Sequence, residues 1–430
     1  MEPGTRDNIL KFFITAGQYE IHEQPLLVVL VDITQCFDRT RAQDVIMETI
    51  RAGCDLKVVK YLNEWIRETE IVLSGDYTGA SGRVRDTVGQ GTSLAAIGVS
   101  LLIGVALEMN VVKDFMEHFA EVGRMKSLPQ AFVDDMLAMA KDCNGLRLLA
   151  KGLSLAARYS SMEVNKEKSS VLVIGRRHVT VEAEEELKAN PVLIQEQEIQ
   201  VKEDDVYLGI TISNRGVRES IYMTMEARFK KAKSRAYQLR NISRHPTFLA
   251  IGWLKSIVTF FKASVASTLL YAAETWYQVS EKFGDYIEAK YRSLLLIMLG
   301  FPKTTRYLSL LHELDVCLAK HLIAGRRIKY LNKILNGQSN PQTRKIVLEE
   351  YMSADDDVKK YTFMGHVQEL CSKYDVPDVT KHNGIDDETI GERVREVNDI
   401  ECWEGSMAGK LNSPTAVSYT HQTLPTKRIV

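Results

Sequence analysis

Two strand ends that carry carboxylates are the parts of this chain most able to do chemistry. The apolar run Leu26 to Val31 ends on Asp32, and further along Phe132-Val133 leads into Asp134-Asp135. Carboxylates crowded at strand ends raise each other's pKa unless a cation lies between them. A carboxylate on one strand, with one or two more on a neighbouring hairpin, makes a cage for two Mg²⁺ ions that serves in-line displacement at phosphorus. Two unrelated surface turns would read the same way, because Asp commonly ends strands.

The elements that must position these groups follow from pattern and punctuation. After Asp32 the chain turns, with Asp38 as a candidate N-cap. A helix then presents Ala42, Val45, Ile46, Thr49 and Ile50 and stops at Gly53. A second helix is expected over Leu56 to Glu68, and a hairpin from Ile71-Val72-Leu73 and Arg83-Val84-Arg85. Gly89-Gln90-Gly91 leads into an apolar run, Ser93 to Leu107, which reads as a buried helix; it is too short to span a bilayer. Gln130 to Ala140 reads as a hairpin with Asp134-Asp135 at its tip, Leu146 to Ser161 as a helix, and Ser170 to Gly175 and Asp205 to Ile212 as strands. Mixed rather than strictly alternating strands and helices define an α+β fold. Beyond residue 218 the pattern is helical, punctuated by His245-Pro246 and Gly300-Phe301-Pro302.

The 430 residues, 45% hydrophobic and 26% charged, suit a soluble globular chain of two or three domains. A net charge of -1 conceals an asymmetry: Arg218 to Lys262 holds ten Lys/Arg against two Asp/Glu. Arg228, Lys230, Lys231, Lys233, Arg235, Arg240 and Arg244 fall on one predicted helix, interleaved with Phe229, Tyr237 and Leu239. Cations at such spacing give salt-dependent, sequence-independent binding to a polyanion, although a solvated basic face has the same composition. The six cysteines are scattered with no Cys-x-x-Cys, which argues against a zinc finger or disulfide framework and fits a reducing compartment. No signal peptide is expected from the pattern of the first residues.

Four features occur in order: Asp32-Ile33-Thr34-Gln35-Cys36-Phe37-Asp38, Gln90-Gly91, Phe132-Val133-Asp134-Asp135, and Asn165-Lys166-Glu167-Lys168-Ser169 followed by Tyr207-Leu208-Gly209-Ile210. Together they resemble the palm motifs of reverse transcriptases, with wording nearest to non-LTR (LINE-type) retrotransposons. Leu269-Leu270-Tyr271-Ala272-Ala273-Glu274-Thr275-Trp276 is similar to a stretch of the thumb in those enzymes. The resemblance covers roughly residues 20 to 335. It implies a polymerase-type palm, an antiparallel sheet with packed helices, followed by a helical thumb-like domain.

The activity implied is RNA-directed DNA polymerisation by two-metal nucleotidyl transfer onto a primer 3′-hydroxyl, with two Mg²⁺ ions as cofactors and Mn²⁺ as an alternative. The implied partners are an RNA template, a DNA primer, their hybrid and deoxynucleoside triphosphates, with no membrane; the implied location is cytoplasm and nucleus. On this resemblance Asp32 and Asp134 hold the metals with the Ile33 carbonyl, and Asp135 is a less direct carboxylate. Phe37 is a steric gate against a ribose 2′-oxygen, Gln90 and Gly91 lie against template or nucleotide, and Lys168 protonates the departing pyrophosphate. Tyr207, Leu208 and Gly209 form the primer grip. The segment Thr92-Ser93-Leu94-Ala95 departs from the family pattern by lacking a proline after the serine.

The expected organisation is a palm with a residual end of fingers over 1–217, a helical thumb-like domain over 218–337, a poorly packed tail over 338–412, and a non-native or disordered end over 413–430. Only Arg6 and Lys11 supply Arg or Lys before Asp32, too few for the fingers that clamp a triphosphate. A catalytically inactive, nucleic-acid-binding remnant of such a polymerase is therefore the alternative to an active core.

Overall fold

A computed structural model describes residues 4–34, 40–51, 53–68, 70–72, 81–83, 93–107, 116–243, 253–277, 280–381 and 385–411. Phe37, Gln90, Gly91, Arg244, the Asp38 cap and the 413–430 segment lie outside the described residues. The fold is α+β, with antiparallel strands and many helices, and divides into two compact units. Unit 1 comprises residues 1–224, 275–277 and 339–363; unit 2 comprises 225–274, 278–338 and 364–430.

The strands of unit 1 are β1 (Leu26–Thr34), β2 (Glu70–Val72), β3 (Ser81–Arg83), β4 (Glu121–Val122), β5 (Met125–Lys126), β6 (Gln130–Phe132), β7 (Asp135–Ala140), β8 (Glu163–Val164), β9 (Ser170–Ile174), β10 (Val192–Ile194), β11 (Gln197–Ile199), β12 (Asp204–Tyr207) and β13 (Ile210–Ser213). The main sheet is antiparallel, in the order β6-β7-β1-β8, with β9 also pairing with β1. β1 is its centre, bonded along one edge to β7 and along the other first to β9 and then to β8. Its near-continuous burial explains why it reads as an apolar run rather than an alternating one.

Successive β1 side chains still point to opposite faces. Leu27, Val29, Val31 and Ile33 join a core with Val99, Leu102, Ile103 and Ala106 of the Ser93–Leu107 helix and with Leu146, Leu149 and Leu153 of the Cys143–Tyr159 helix. Asp32 therefore belongs to the face away from that core.

The helix Thr5–Ile21 carries no amphipathic pattern that would announce it, and it is buried almost throughout, Asp7, Asn8 and Lys11 included. Asn8 donates to Ala131 O (3.4 Å), while the other two find partners in the segment that returns at residue 339: Asp7 accepts from Ser339 Oγ (2.6 Å) and Asn340 N (3.1 Å), and Lys11 donates to Gln342 (3.3 Å). Burial pushes the Lys11 ammonium down to about 8. Gly17 lets the Tyr277 ring lie where a Cβ would clash, and the Tyr277 hydroxyl donates to the fully buried Glu350 (2.6 Å), which also accepts from Phe363 N (3.1 Å).

The expected poorly packed tail over 338–412 is replaced by helices Pro341–Ser353, Phe363–Lys373 and Asp387–Leu411. Ile346, Val347, Val367 and Ile390 within them are fully buried. Apolar residues are sparse there but aligned at helical spacing, and alignment rather than content decides burial. The helix Ala42–Arg51 buries Glu48 while leaving Ile50 exposed, against the expected face; Gly53 ends it at φ 74 as expected. The strand expected over Asp205 to Ile212 is instead the β12-β13 hairpin. The helix Arg177–Ala189 has no counterpart among the expected elements.

Unit 2 is helical among its described residues, and contains most of Val217–Ser243 together with Trp253–Phe260, Glu281–Leu299, Tyr307–Leu314 and Ala319–Leu335. Met225, Ala232 and Ala236 form the buried stripe of the first of these.

Candidate active site: carboxylates and lysines in one cleft

Register brings the distant carboxylates together. Asp32 on β1 pairs directly with Asp135 on β7, so the two side chains leave the same face of the sheet. Phe132 pairs with Asp135, which leaves Val133-Asp134 as the two-residue tip of the β6-β7 hairpin. Asp135, the less direct carboxylate of the family pattern, is thus the one set opposite Asp32. The turn decides this, because β7 starts at Asp135 and Asp134 belongs to the tip rather than to a strand. Val133 holds φ 58, a left-handed conformation that a β-branched residue adopts only under strain.

Electrostatics shows the crowding. Burial raises the Asp32 carboxyl above its ordinary value, Asp134 raises it further, and Lys168 opposes both. Asp135 is pushed up to about 6 by burial, then by Asp134 and Asp32. Asp32 and Asp135 therefore hold protons more tightly than free carboxylates do, with Asp134 adding to the repulsion.

The Asn165–Ser169 turn supplies the balancing charge. Asn165 N donates to Asp32 O (2.8 Å), and Asp32 N donates to Ser169 Oγ (3.2 Å). Lys168 N donates to Asn165 Oδ1 (3.3 Å), which sets Lys168 Nζ 3.7 Å from Asp32 Oδ2. Asn165 and Ser169 are therefore the residues that position Lys168 against Asp32.

The primer-grip candidates form a tight turn between β12 and β13. Leu208 (φ 46) and Gly209 (φ 78) are both left-handed, the pattern of the commonest two-residue hairpin. Tyr207 is buried, and burial followed by the charge of Asp135 holds its hydroxyl well above the ordinary range. A cleft of about 320 Å³ is lined by Leu30, Asp32, Asp135, Lys168, Val206 and Tyr207, among others. It also contains Glu167 of the Asn165–Ser169 motif, and Lys202 and Asp205, to which the sequence pattern gives no site role. A single charge in a loop, such as Lys202, or near the start of a strand, such as Asp205 of β12, gives no periodic signal. Ile33, expected to lend its carbonyl, is buried in β1 beside Asp32.

Donor chemistry suits a hard divalent cation. The carboxylates are oxygen ligands, and their mutual repulsion is what a cation relieves. Among the described residues no three His, Cys, Asp or Glu side chains form a ready-made cage. Mg²⁺ commonly takes one or two carboxylates and completes its shell with substrate phosphates and water.

The basic helix divides into two groups. The Arg228 guanidinium stacks 3.9 Å from the Tyr271 ring centroid, and Arg235 donates to Thr268 Oγ1 and Ser264 O. Lys230, Lys231 and Lys233 are exposed, and Arg240 is half-buried. Among the described residues, no helix is long and apolar enough to cross a membrane.

No family model and no curated protein matches the sequence. Among solved structures, telomerase from Candida tropicalis in complex with a TWJ fragment of telomeric RNA aligns over 86% of this chain and 51% of that one, at 14% identity and a TM-score of 0.39. Apo telomerase from Candida tropicalis aligns over 87% and 55%, at 11% identity and a TM-score of 0.38. Candida albicans telomerase with a TWJ fragment of telomeric RNA aligns over 86% and 53%, at 12% identity and a TM-score of 0.35. The chain spans about half the length of the telomerase chains it matches.

Proposed function

We propose that this chain carries the palm of an RNA-directed DNA polymerase, the nucleotidyl-transferring core of a non-LTR retrotransposon reverse transcriptase. The observation that carries the reading is the cross-strand pairing of Asp32 with Asp135, with Asp134 at the adjoining tip and Lys168 at the rim. Asp32 and the Asp134-Asp135 pair would hold two Mg²⁺ ions. Such ions, when bound, acidify the primer 3′-hydroxyl and neutralise the triphosphate. Lys168, poised at Asp32, gives a proton to the leaving pyrophosphate. The Tyr207-Leu208-Gly209 turn holds the primer end, and the lysines of the basic helix grip the hybrid backbone. Phe37 selects deoxynucleotides, and Gln90 and Gly91 contact the template or the nucleotide.

Primer extension on an RNA template, measured with the chain alone and with a fingers segment supplied from a full-length relative, tests this. Weak or no extension is expected alone. Rescue by the fingers should fall by at least about a thousandfold in Asp134→Ala. Persistent inactivity with all three aspartates intact rejects the polymerase reading.

The second reading is a remnant that binds nucleic acid without catalysis. Burial of Lys11 against Gln342 favours it, because this cation is then committed to packing rather than to a triphosphate. Hybrid binding without rescued extension would establish it.

A further inference from the structure

The outward side of the basic helix carries more than charge. From residue 227 to 243 the Val217–Ser243 helix contains no Asp or Glu, and Glu226, the last acid before this stretch, is taken by Lys290 (2.7 Å) and the Tyr286 hydroxyl. Lys230, Lys231 and Lys233 are exposed and form no ion pair among the described residues. Lys230, Ser234, Tyr237 and Asn241, all exposed, recur every three or four residues. They therefore lie on one stripe, away from the buried Met225, Ala232 and Ala236.

Tyr237 differs from two other aromatic rings at this stretch. Lys290 Nζ lies 4.4 Å from the Phe229 ring centroid, and Arg228 covers Tyr271 at 3.9 Å. The Tyr237 ring is 45% exposed and has no ring, cation or hydrogen-bond partner among the described residues. A lone exposed aromatic needs no explanation on a neutral surface. Here Lys233 stands one turn before it, about 6 Å along the axis at a rise of about 1.5 Å per residue, and Lys230 stands two turns before it. A free aromatic face beside two unpaired cations matches one nucleotide unit, with its base on the ring and its phosphate on an ammonium.

Lysines alone do not distinguish strands, because phosphates run along a hybrid and along a single strand alike. In a duplex the base faces are stacked on one another, whereas an unpaired base offers its face to an aromatic side chain. We propose that Tyr237 stacks on an unpaired base of single-stranded RNA, with Lys233 and Lys230 on the flanking phosphates. The choice of RNA rests on the polymerase reading above, since the template is the strand that arrives unpaired. Ser234 and Asn241, on either side of the ring along the stripe, offer a hydroxyl and an amide to base edges or to the ribose 2′-hydroxyl.

The test measures binding of the full chain to three probes of one sequence and length: single-stranded RNA, single-stranded DNA and the RNA–DNA hybrid. Tyr237→Leu keeps an apolar side chain but removes the π face. It should lose about tenfold on single-stranded RNA, the size of one base stack, and less than about twofold on the hybrid. Tyr237→Phe should bind as wild type does. Lys230→Gln with Lys233→Gln should lower the salt slope on RNA and hybrid alike, whereas Tyr237→Leu should leave it unchanged. The wild type should bind the single-stranded RNA more tightly than the DNA. Unchanged affinity of Tyr237→Leu for RNA overturns the proposal, as does an equal loss on RNA and hybrid. A wild type that binds the DNA as tightly as the RNA overturns the assignment to RNA. Each of these outcomes leaves the polymerase reading intact. Tyr237-dependent RNA binding without rescued extension instead overturns the polymerase reading and keeps the stacking platform.

Discussion

In unit 2, charged and polar groups close on one another. Glu288 accepts from the Tyr307 hydroxyl (2.6 Å) and Lys320 N (3.2 Å), and Glu226 pairs with Lys290 (2.7 Å) and accepts from the Tyr286 hydroxyl. His321 sits between the Tyr374 hydroxyl (2.7 Å) and Glu401 (3.1 Å), with its imidazole pushed down to about 4 by burial. In the cleft of unit 1, by contrast, three carboxylates crowd together while Lys168 stands 3.7 Å away. Networks that satisfy themselves hold a fold together. Repulsion tolerated at paired strand ends is the imbalance that the proposed metal ions would relieve.

Substitutions should therefore change stability with opposite signs in the two units. The largest effect is expected at Glu288. Glu288→Ala removes the acceptor for two shielded donors and should cost about 3 kcal/mol in urea unfolding. A decrease below about 1 kcal/mol would show that the network is ornamental and erase the contrast.

Asp135→Asn should do the reverse. A folded carboxyl raised to about 6 binds its proton more tightly than the unfolded one, so stability declines as pH rises from the unfolded value of 3.8 through about 6. Above that window the asparagine variant should be more stable by about 1 kcal/mol, after allowance for solvent screening. The gain should vanish below about pH 4, where both states are protonated. Adding Mg²⁺ at neutral pH should also close the gap by stabilising the wild type alone. Destabilisation at neutral pH would mean that the cleft is another closed network.

The basic helix sharpens the comparison within unit 2. Lys231→Glu with Lys233→Glu should weaken hybrid binding and lower the salt slope by about 1 for each phosphate that is no longer neutralised, with little change in stability. Arg228→Ala should cost about 1 kcal/mol of stability through removal of the Tyr271 stack. The smallest effect is expected at the hairpin tip, where Val133→Gly should relieve left-handed strain and raise stability by about 0.5 kcal/mol in urea unfolding, net of the chain entropy that glycine adds.

Much of the site is legible in the sequence because its parts are local. An apolar strand ending on Asp32, a short hairpin around Asp134-Asp135, and the Asn165 to Ser169 turn each carry their signal within a few residues. The direct pairing of Asp32 with Asp135 is not legible, because it depends on which two residues the turn consumes. Lys202, in a loop, and Asp205, near the start of β12, escape notice because a lone charge in either place resembles any surface charge. The buried Thr5–Ile21 helix escapes it because burial on all sides leaves no amphipathic period to detect. Its Asp7 and Lys11 look like solvent-facing residues until Ser339, Asn340 and Gln342 arrive from the far end of the chain.

That arrival has a kinetic consequence. The bond from Ser339 to Asp7 spans 332 residues, and Arg124 N reaches Glu349 across 225. Interactions of such separation are slow to form, since loop closure must precede any gain from them. During synthesis the first two hundred residues leave the ribosome with Lys11 and Asp7 lacking these partners, and they wait until unit 2 has largely been made. The Thr5–Ile21 helix, which reaches the carboxylate-bearing sheet through Asn8 and Ala131, is thus among the first parts translated and among the last to be covered. A chain stopped at residue 338 would release that sheet with its earliest helix uncovered, prone to capture by chaperones or to aggregation.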